Sequence, residues 1–443
     1  VHYYAIAIRP WRDLSAAENY VSAGALMSLA NLFGFALRGG SAGAKLLFVF
    51  YLAGKASSTL LGQVAIVVTM ATVFSQIAGM EINQVIGRQL HALSITERHR
   101  LLRRQAQAGV VAYIFLLPIA ILLYADLLSG YWLCTCGILV LEHFILEAYR
   151  FNVLMLRPLY AAGLLFVKNV GWVLTFMVLV ESGFASPSLS LVLACWCGLL
   201  AIMSVPLLWT PHTWATLKDF AAWSIWPRQS GALIWQARTF IVSAAAGVGI
   251  GAIDKLLIAE KFSAADLGVY FFFASCASIV SLVASFTIGS TVGPQCIKVY
   301  AAEGRDAYLP HLKRLKRLYL ITTVCTMAVI TLPANFLLMH FGHSEYRYHI
   351  EILFLLTPSA ALLVLCEPYK VNAYVERQDL SLMLGTLFHL LSVALCVSLF
   401  AIKQDIVFIS VGMLLSSLLI YLYFALDVGN RVIGCFRQGF VRQ

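Results

Sequence analysis

The chain has 443 residues, 61% of them hydrophobic and only 12% charged, with a formal net charge of +10. A soluble protein of this length has too little polar surface to cover so much apolar side chain, so lipid must be its solvent and a separate water-soluble catalytic domain is excluded. The positive balance sits in short segments between apolar runs, which excludes a nucleic-acid interface carried by a folded domain.

The apolar runs predict about twelve membrane-spanning helices. They fall near 27–53, 57–80, 108–128, 130–150, 160–181 and 187–209, then near 231–258, 265–292, 318–340, 348–369, 380–401 and 406–427. Two of them share a pattern. Leu61-Gly62 opens an apolar run that ends at Gly87-Arg88, and Leu267-Gly268 opens another, 206 residues later (267 − 61), that ends at Gly293-Pro294. Each is followed by a basic segment, Arg88 to Arg104 and Lys298 to Arg317. The expected fold is therefore an all-α polytopic membrane protein, two six-helix pseudo-repeats around a central cavity, with substrate handled between the halves. The domains expected are an N-terminal six-helix bundle over 1–209, an amphipathic connector over 210–230 and a C-terminal six-helix bundle over 231–443 with a basic tail. The connector mixes Trp214, Trp223 and Trp226 with polar residues, as a helix lying in the membrane interface does.

Lysine and arginine set the orientation. Of the 31 basic residues, Lys55, Lys261, Arg347 and Lys403 fall on one side, and Arg38, Lys45, Lys168, Arg238 and Lys255 fall within spans. All the others fall on the opposite side, which is expected to be cytoplasmic and to hold both termini. Arg98–Arg104 and Lys313–Arg317 read as solvated faces near anionic headgroups.

Charges inside spans are costly and usually face a cavity or a partner. Arg38 and Lys45 lie seven residues apart on the first span, on one face, about 10 Å apart along the axis. Asn31, Gly34 and Ser41 share that stripe. Arg38, Lys45, Asn31 and Arg238 are the expected substrate-binding residues. The alternative is that the cations snorkel to an interface, or that Arg38 and Lys45 pair with Glu142 or Glu147. Lys168 and Arg238, each in the inner third of a span, have the same choice between snorkelling and a cavity. Asp254 and Lys255 are neighbours in sequence and should not face each other on a helix. Glu142 and Glu367 are the candidate ion-coupling residues. Against that stand local pairings: His143 with Glu147, Glu147 with Arg150 and Glu367 with Lys370 are at helical spacing. Pro358 and Pro368 predict a bent tenth span.

Soluble-type chemistry has no motif here: no phosphate-binding glycine loop with lysine, no zinc helix and no Gly-x-Ser-x-Gly elbow. The ten cysteines mostly lie inside spans and read as small apolar packing residues. No metal or catalytic residue is expected.

Asp254-Lys255-Leu256-Leu257-Ile258, then Leu267-Gly268-Val269-Tyr270, then Pro294, resembles the second-half pattern of polysaccharide-type flippases, a family of the multidrug/oligosaccharidyl-lipid/polysaccharide exporter superfamily. Leu61-Gly62-Gln63 is similar to the matching first-half pattern. The resemblance implies a flippase, not an enzyme, in the bacterial inner membrane. Its partner would be a polyprenyl-pyrophosphate-linked oligosaccharide, moved from the cytoplasmic to the outer leaflet by alternating access for O-antigen or exopolysaccharide synthesis. Membrane lipids and polysaccharide polymerase machinery are the other implied partners, with no nucleic acid. No cofactor is implied beyond a proton or sodium gradient.

Three rival readings remain open. A multidrug exporter of the superfamily commonly carries an acid in the first span, where this chain has Arg38 and Lys45. A lipid II flippase usually has fourteen spans. A membrane enzyme of glycan assembly would need a catalytic outer loop, for which only His340, His343 and His349 are available.

Overall fold

The computed structural model describes residues 29–80, 82, 97, 105, 108–110, 112–119, 130–154, 157–208, 228–289, 292–334, 344–376, 378–403 and 405–426. Of the connector expected over 210–230, residues 210–227 lie outside the described residues and 228–230 already belong to the following helix; the segment Arg98–Arg104 and the basic tail also lie outside, as do the structural roles expected of them.

The described residues are helical. In the first half, α1 spans Leu29–Lys55, α2 Ser58–Gly79, α3 Trp132–Leu154, α4 Pro158–Glu181 and α5 Leu189–Leu208. In the second half, α6 spans Arg228–Lys261 and α7 Ala264–Ala284, followed by a π-helical turn over Ser285–Gly289. Then come α8 Val292–Glu303, α9 Arg305–Thr331, the short α10 Ser344–Tyr348, α11 Glu351–Val375, α12 Asp379–Ala401 and α13 Ile406–Ala425. Among the described residues nine helices are long and apolar enough to cross a membrane, and Ala108–Ile119 adds a shorter apolar one. The two other long helices, α1 and α9, are interrupted by charge: Arg38 and Lys45 in α1, and the basic first half of α9. These twelve segments stand where the apolar runs place them. Large apolar side chains such as Leu133, Val178, Ile202, Leu332 and Leu391 remain exposed around the bundle, the surface that lipid covers.

The packing repeats itself. In the first half α1 packs on α4, α2 on α3, α3 on α5 and α4 on α5. In the second half α6 packs on α12, α7 on α11, α11 on α13 and α12 on α13, the same contacts one half later. Between the halves α2 packs extensively on α7, α2 touches α6, and α1 touches α7, so the cross-contacts are also reciprocal.

The α2–α7 crossing is built from the repeated sequence. Ser57 caps α2, accepting from the Leu60 N–H at 3.2 Å, and Ser263 caps α7 in a capping box with Asp266. One turn on, Leu61 and Leu267 are fully buried. Gly62 and Gly268 then meet. A Cβ on Gly62 would lie 1.8 Å from the carbonyl oxygen of Ala264, and one on Gly268 would lie 1.9 Å from that of Ser58. The main chains touch directly, which only glycine at both positions permits. Ser57, Ser58, Leu61 and Gly62 match Ser263, Ala264, Leu267 and Gly268 at one constant offset, so the crossing is a local two-fold.

Candidate functional site

The site lies at mid-depth in the first half, against the second. Ser41 of α1 is buried, donates to the Leu165 carbonyl at 3.4 Å and accepts from Asn169 at 2.6 Å. This fixes α1 on α4 at the level of its two cations. Lys168, next to Asn169, is 5% exposed and forms an ion pair with Glu142 of α3. Glu142 and Lys168 are each ten residues from the start of antiparallel neighbours, about 15 Å in from opposite ends, so they meet at the same depth.

A cavity of about 150 Å³ opens beside this pair. Lys45, Glu142 and Asn169 supply its charged and amide groups, with Thr72 of α2 and Ser275 and Ser278 of α7 opposite. Lys45 makes no direct hydrogen bond or ion-pair contact among the described residues, and it lies within electrostatic reach of both Glu142 and Lys168. Glu142 bonds Lys168 through Oε1 alone, its Oε2 being buried without a partner. About two turns below, Arg38 is half-buried with an unpartnered Nε. The first-half core thus holds two cations, Lys45 and Lys168, beside one carboxylate, with Arg38 further along α1. Low local dielectric makes such an excess a strong attractor for an anion.

Of the expected site residues, Lys45 and Glu142 line this cavity, and Arg38 lies on the same helix without lining it. Asn31 lies on α1, and its side chain is outside the described portion. Arg238 is not brought here: it is exposed on α6, donates to the Trp235 carbonyl at 2.8 Å and stacks 4.5 Å from that ring. Glu367 pairs with Lys370 at 2.8 Å, the local pairing that its spacing allows. The aromatic Trp172 is 4% exposed, stacked on Trp196 and edge-on to Phe48, so it is a packing residue of the cavity wall.

Lys168, left open between snorkelling and a cavity, instead pairs with an acid on another helix, 26 residues away in sequence and invisible to local spacing. One expectation is corrected. Lys255 does pair with its neighbour: its Nζ lies 3.1 and 3.2 Å from the two carboxylate oxygens of Asp254 and 2.9 Å from the Gly251 carbonyl. The Cβ directions diverge, but a four-carbon stem is long enough to fold back. Asp254 is 2% exposed and also accepts from Tyr270 of α7 at 2.7 Å.

A second polar network backs the first half. Glu147 receives Arg150 at 2.8 Å and also Gln105, His143 Nε2 stands 3.6 Å away, and Tyr113 bonds the other ring nitrogen of His143. Gly79 of α2 lies against it, where a Cβ would be 2.7 Å from Arg150 Nη1. Helical spacing foretold the members on α3, while Gln105 and Tyr113 were reached only through tertiary contact. Among the described residues no three metal-ligating side chains cluster.

No protein-family model matches the sequence, and no curated protein matches it. Solved structures do match the fold. The lipid II flippase MurJ, in an inward closed conformation, superposes with a TM-score of 0.67 at 14% identity, over 90% of this chain and 87% of that one. A mutant of the Vibrio cholerae MATE transporter VcmN superposes with a TM-score of 0.59 at 15% identity, over 90% and 97%. The chain shares the fold of these membrane flippases and transporters.

Proposed function

We propose that this chain is a flippase for an anionic lipid-linked glycan, of the class of polyprenyl-pyrophosphate-linked oligosaccharides, moving the headgroup from the cytoplasmic to the outer leaflet of a bacterial inner membrane. The observation that carries this is the excess of cations at mid-membrane depth: Lys45 facing a cavity between the halves, with Lys168 and Arg38 behind and below it. A pyrophosphate loses its hydration on entering a bilayer, and fixed cations offset that loss. The oligosaccharide follows the phosphates through the cavity, and the prenyl chain stays in lipid. A fold neighbour that is a lipid II flippase supports a lipid-linked partner in general.

The closed α2–α7 crossing stands at the Lys55 end of the bundle. In the orientation expected from lysine and arginine this is the outer end, and the crossing is the proposed seal on that side. Transport then requires Gly62 and Gly268 to part. A proton or sodium gradient is the candidate driving force. The multidrug-exporter reading is disfavoured by Glu142: the acid that lines the cavity is already engaged by Lys168.

The test is complementation of a bacterial strain lacking its O-antigen or exopolysaccharide flippase. Wild type should restore surface polysaccharide. Arg38→Ala and Lys45→Ala should accumulate as folded protein but fail, and Arg38→Lys should retain part of the activity. Full activity of both alanine variants would remove the cationic cavity from the mechanism.

A further inference from the structure

We propose that Glu142 is a built-in counter-anion of the cavity, holding Lys168 while the site is empty and yielding it to the phosphate of an entering headgroup. This rests on the reading of the cavity as an anion site. Lys168 itself does not line the cavity, whereas Glu142 does, so the carboxylate stands between the open space and the buried ammonium. A lysine 5% exposed at this depth needs an anion beside it at all times, since an unpaired buried charge is strongly unfavourable. Glu142 supplies that anion through one oxygen only, and its other oxygen is buried without a hydrogen bond. It is therefore tethered by a single hydrogen bond, with Lys45 across the cavity as its other electrostatic neighbour.

An arriving phosphate first meets Lys45, the cation on the cavity wall that makes no direct ion-pair contact among the described residues. It is then next to the Glu142 carboxylate, and the two like charges repel. Rotation of Glu142 away from Lys168 relieves the repulsion and exposes a second ammonium to the ligand, which then bridges Lys45 and Lys168. On release, Glu142 returns. The carboxylate thus sets an upper limit on affinity and keeps the bound headgroup releasable. A merely structural Glu142 makes the opposite prediction, because its removal would then weaken the site.

The experiment is calorimetric titration of the full chain in detergent with geranylgeranyl pyrophosphate and, separately, inorganic pyrophosphate. E142Q should bind about tenfold tighter than wild type, and K168Q about tenfold weaker. The double variant K168Q/E142Q removes both members of the buried pair together, so neither is left behind as an unpaired charge even where a single variant does not fold. It should recover to within about threefold of wild type, because the competitor has gone along with the cation it masked. Weaker or unchanged binding by E142Q, or a double variant no better than K168Q, overturns the proposal while leaving the anion cavity standing. A wild type that binds neither probe overturns the anion cavity itself, and this inference with it. The same order of variants with inorganic pyrophosphate assigns the effect to the phosphate group alone, and an order seen only with the prenyl probe ties it to the lipid-linked form.

Discussion

Tyr270 illustrates how one side chain settles a buried charge in this protein. It is fully buried on α7, and its hydroxyl donates to the Asp254 carboxylate at 2.7 Å, joining the second half's first two helices. A hydrogen bond to a charged group contributes about 1.5–3 kcal/mol, and the phenylalanine ring fills the same space. Tyr270→Phe should therefore lower stability by about that amount, read as a reduced midpoint of thermal unfolding in detergent, with the fold retained. An unchanged midpoint would mean that Lys255 alone satisfies Asp254. The contrast with Arg238 is instructive. Both it and Lys45 are cations in predicted spans, yet Arg238 is exposed and turns one donor and its ring stack onto Trp235 of its own helix, whereas Lys45 lines the cavity. Sequence position could not separate them, because the difference is which way each helix faces once packed.

At the scale of the element, the α2–α7 crossing is the sharpest feature. The atoms that a Cβ would strike are main-chain oxygens, which cannot rotate aside as a side chain can. Gly62→Ala and Gly268→Ala should each force the helices apart and favour the form open at the Lys55 end. A cysteine placed at Ser275, on the cavity wall, should then react faster with a membrane-impermeant maleimide added from outside. The double variant should react no faster than either single one, because both act at a single crossing and their effects are not additive. Unaltered labelling in both single variants would show that the seal lies elsewhere. The caps matter at the same place: Ser263→Ala should cost about 1 kcal/mol of α7 stability, since it removes one partner of the capping box.

For the whole molecule, α9 fixes the level of the membrane. Its exposed face carries Lys313, Arg314 and Arg317, and on the same face, from the next turn, Leu320, Ile321 and Val324. A helix that keeps one face exposed while changing from cationic to apolar crosses from headgroup to hydrocarbon between Arg317 and Leu320. Spin labels at 314 and at 324 should report opposite environments in vesicles. The first should be quenched by a water-soluble nickel complex and the second by dissolved oxygen. Equal access of the nickel complex to both would place the boundary elsewhere and shift the depth assigned to the cationic cavity.

The sequence by itself determined the solvent, the span positions and the two-fold plan. These follow from properties local in sequence: the length of apolar runs, the sidedness of lysine and arginine, and Leu61-Gly62 recurring as Leu267-Gly268. It also yielded the pairings within one helix, such as Glu147 with Arg150 and Glu367 with Lys370, because a turn of helix brings them together whatever the surroundings. Only the tertiary structure decided that the repeated glycines touch each other, that Lys168 meets Glu142 and that Arg238 faces away. Those outcomes depend on which helices are neighbours, on their relative depth and on their rotation about their own axes. A span's hydropathy is nearly blind to that rotation, because in lipid both the buried and the exposed faces of a helix are apolar.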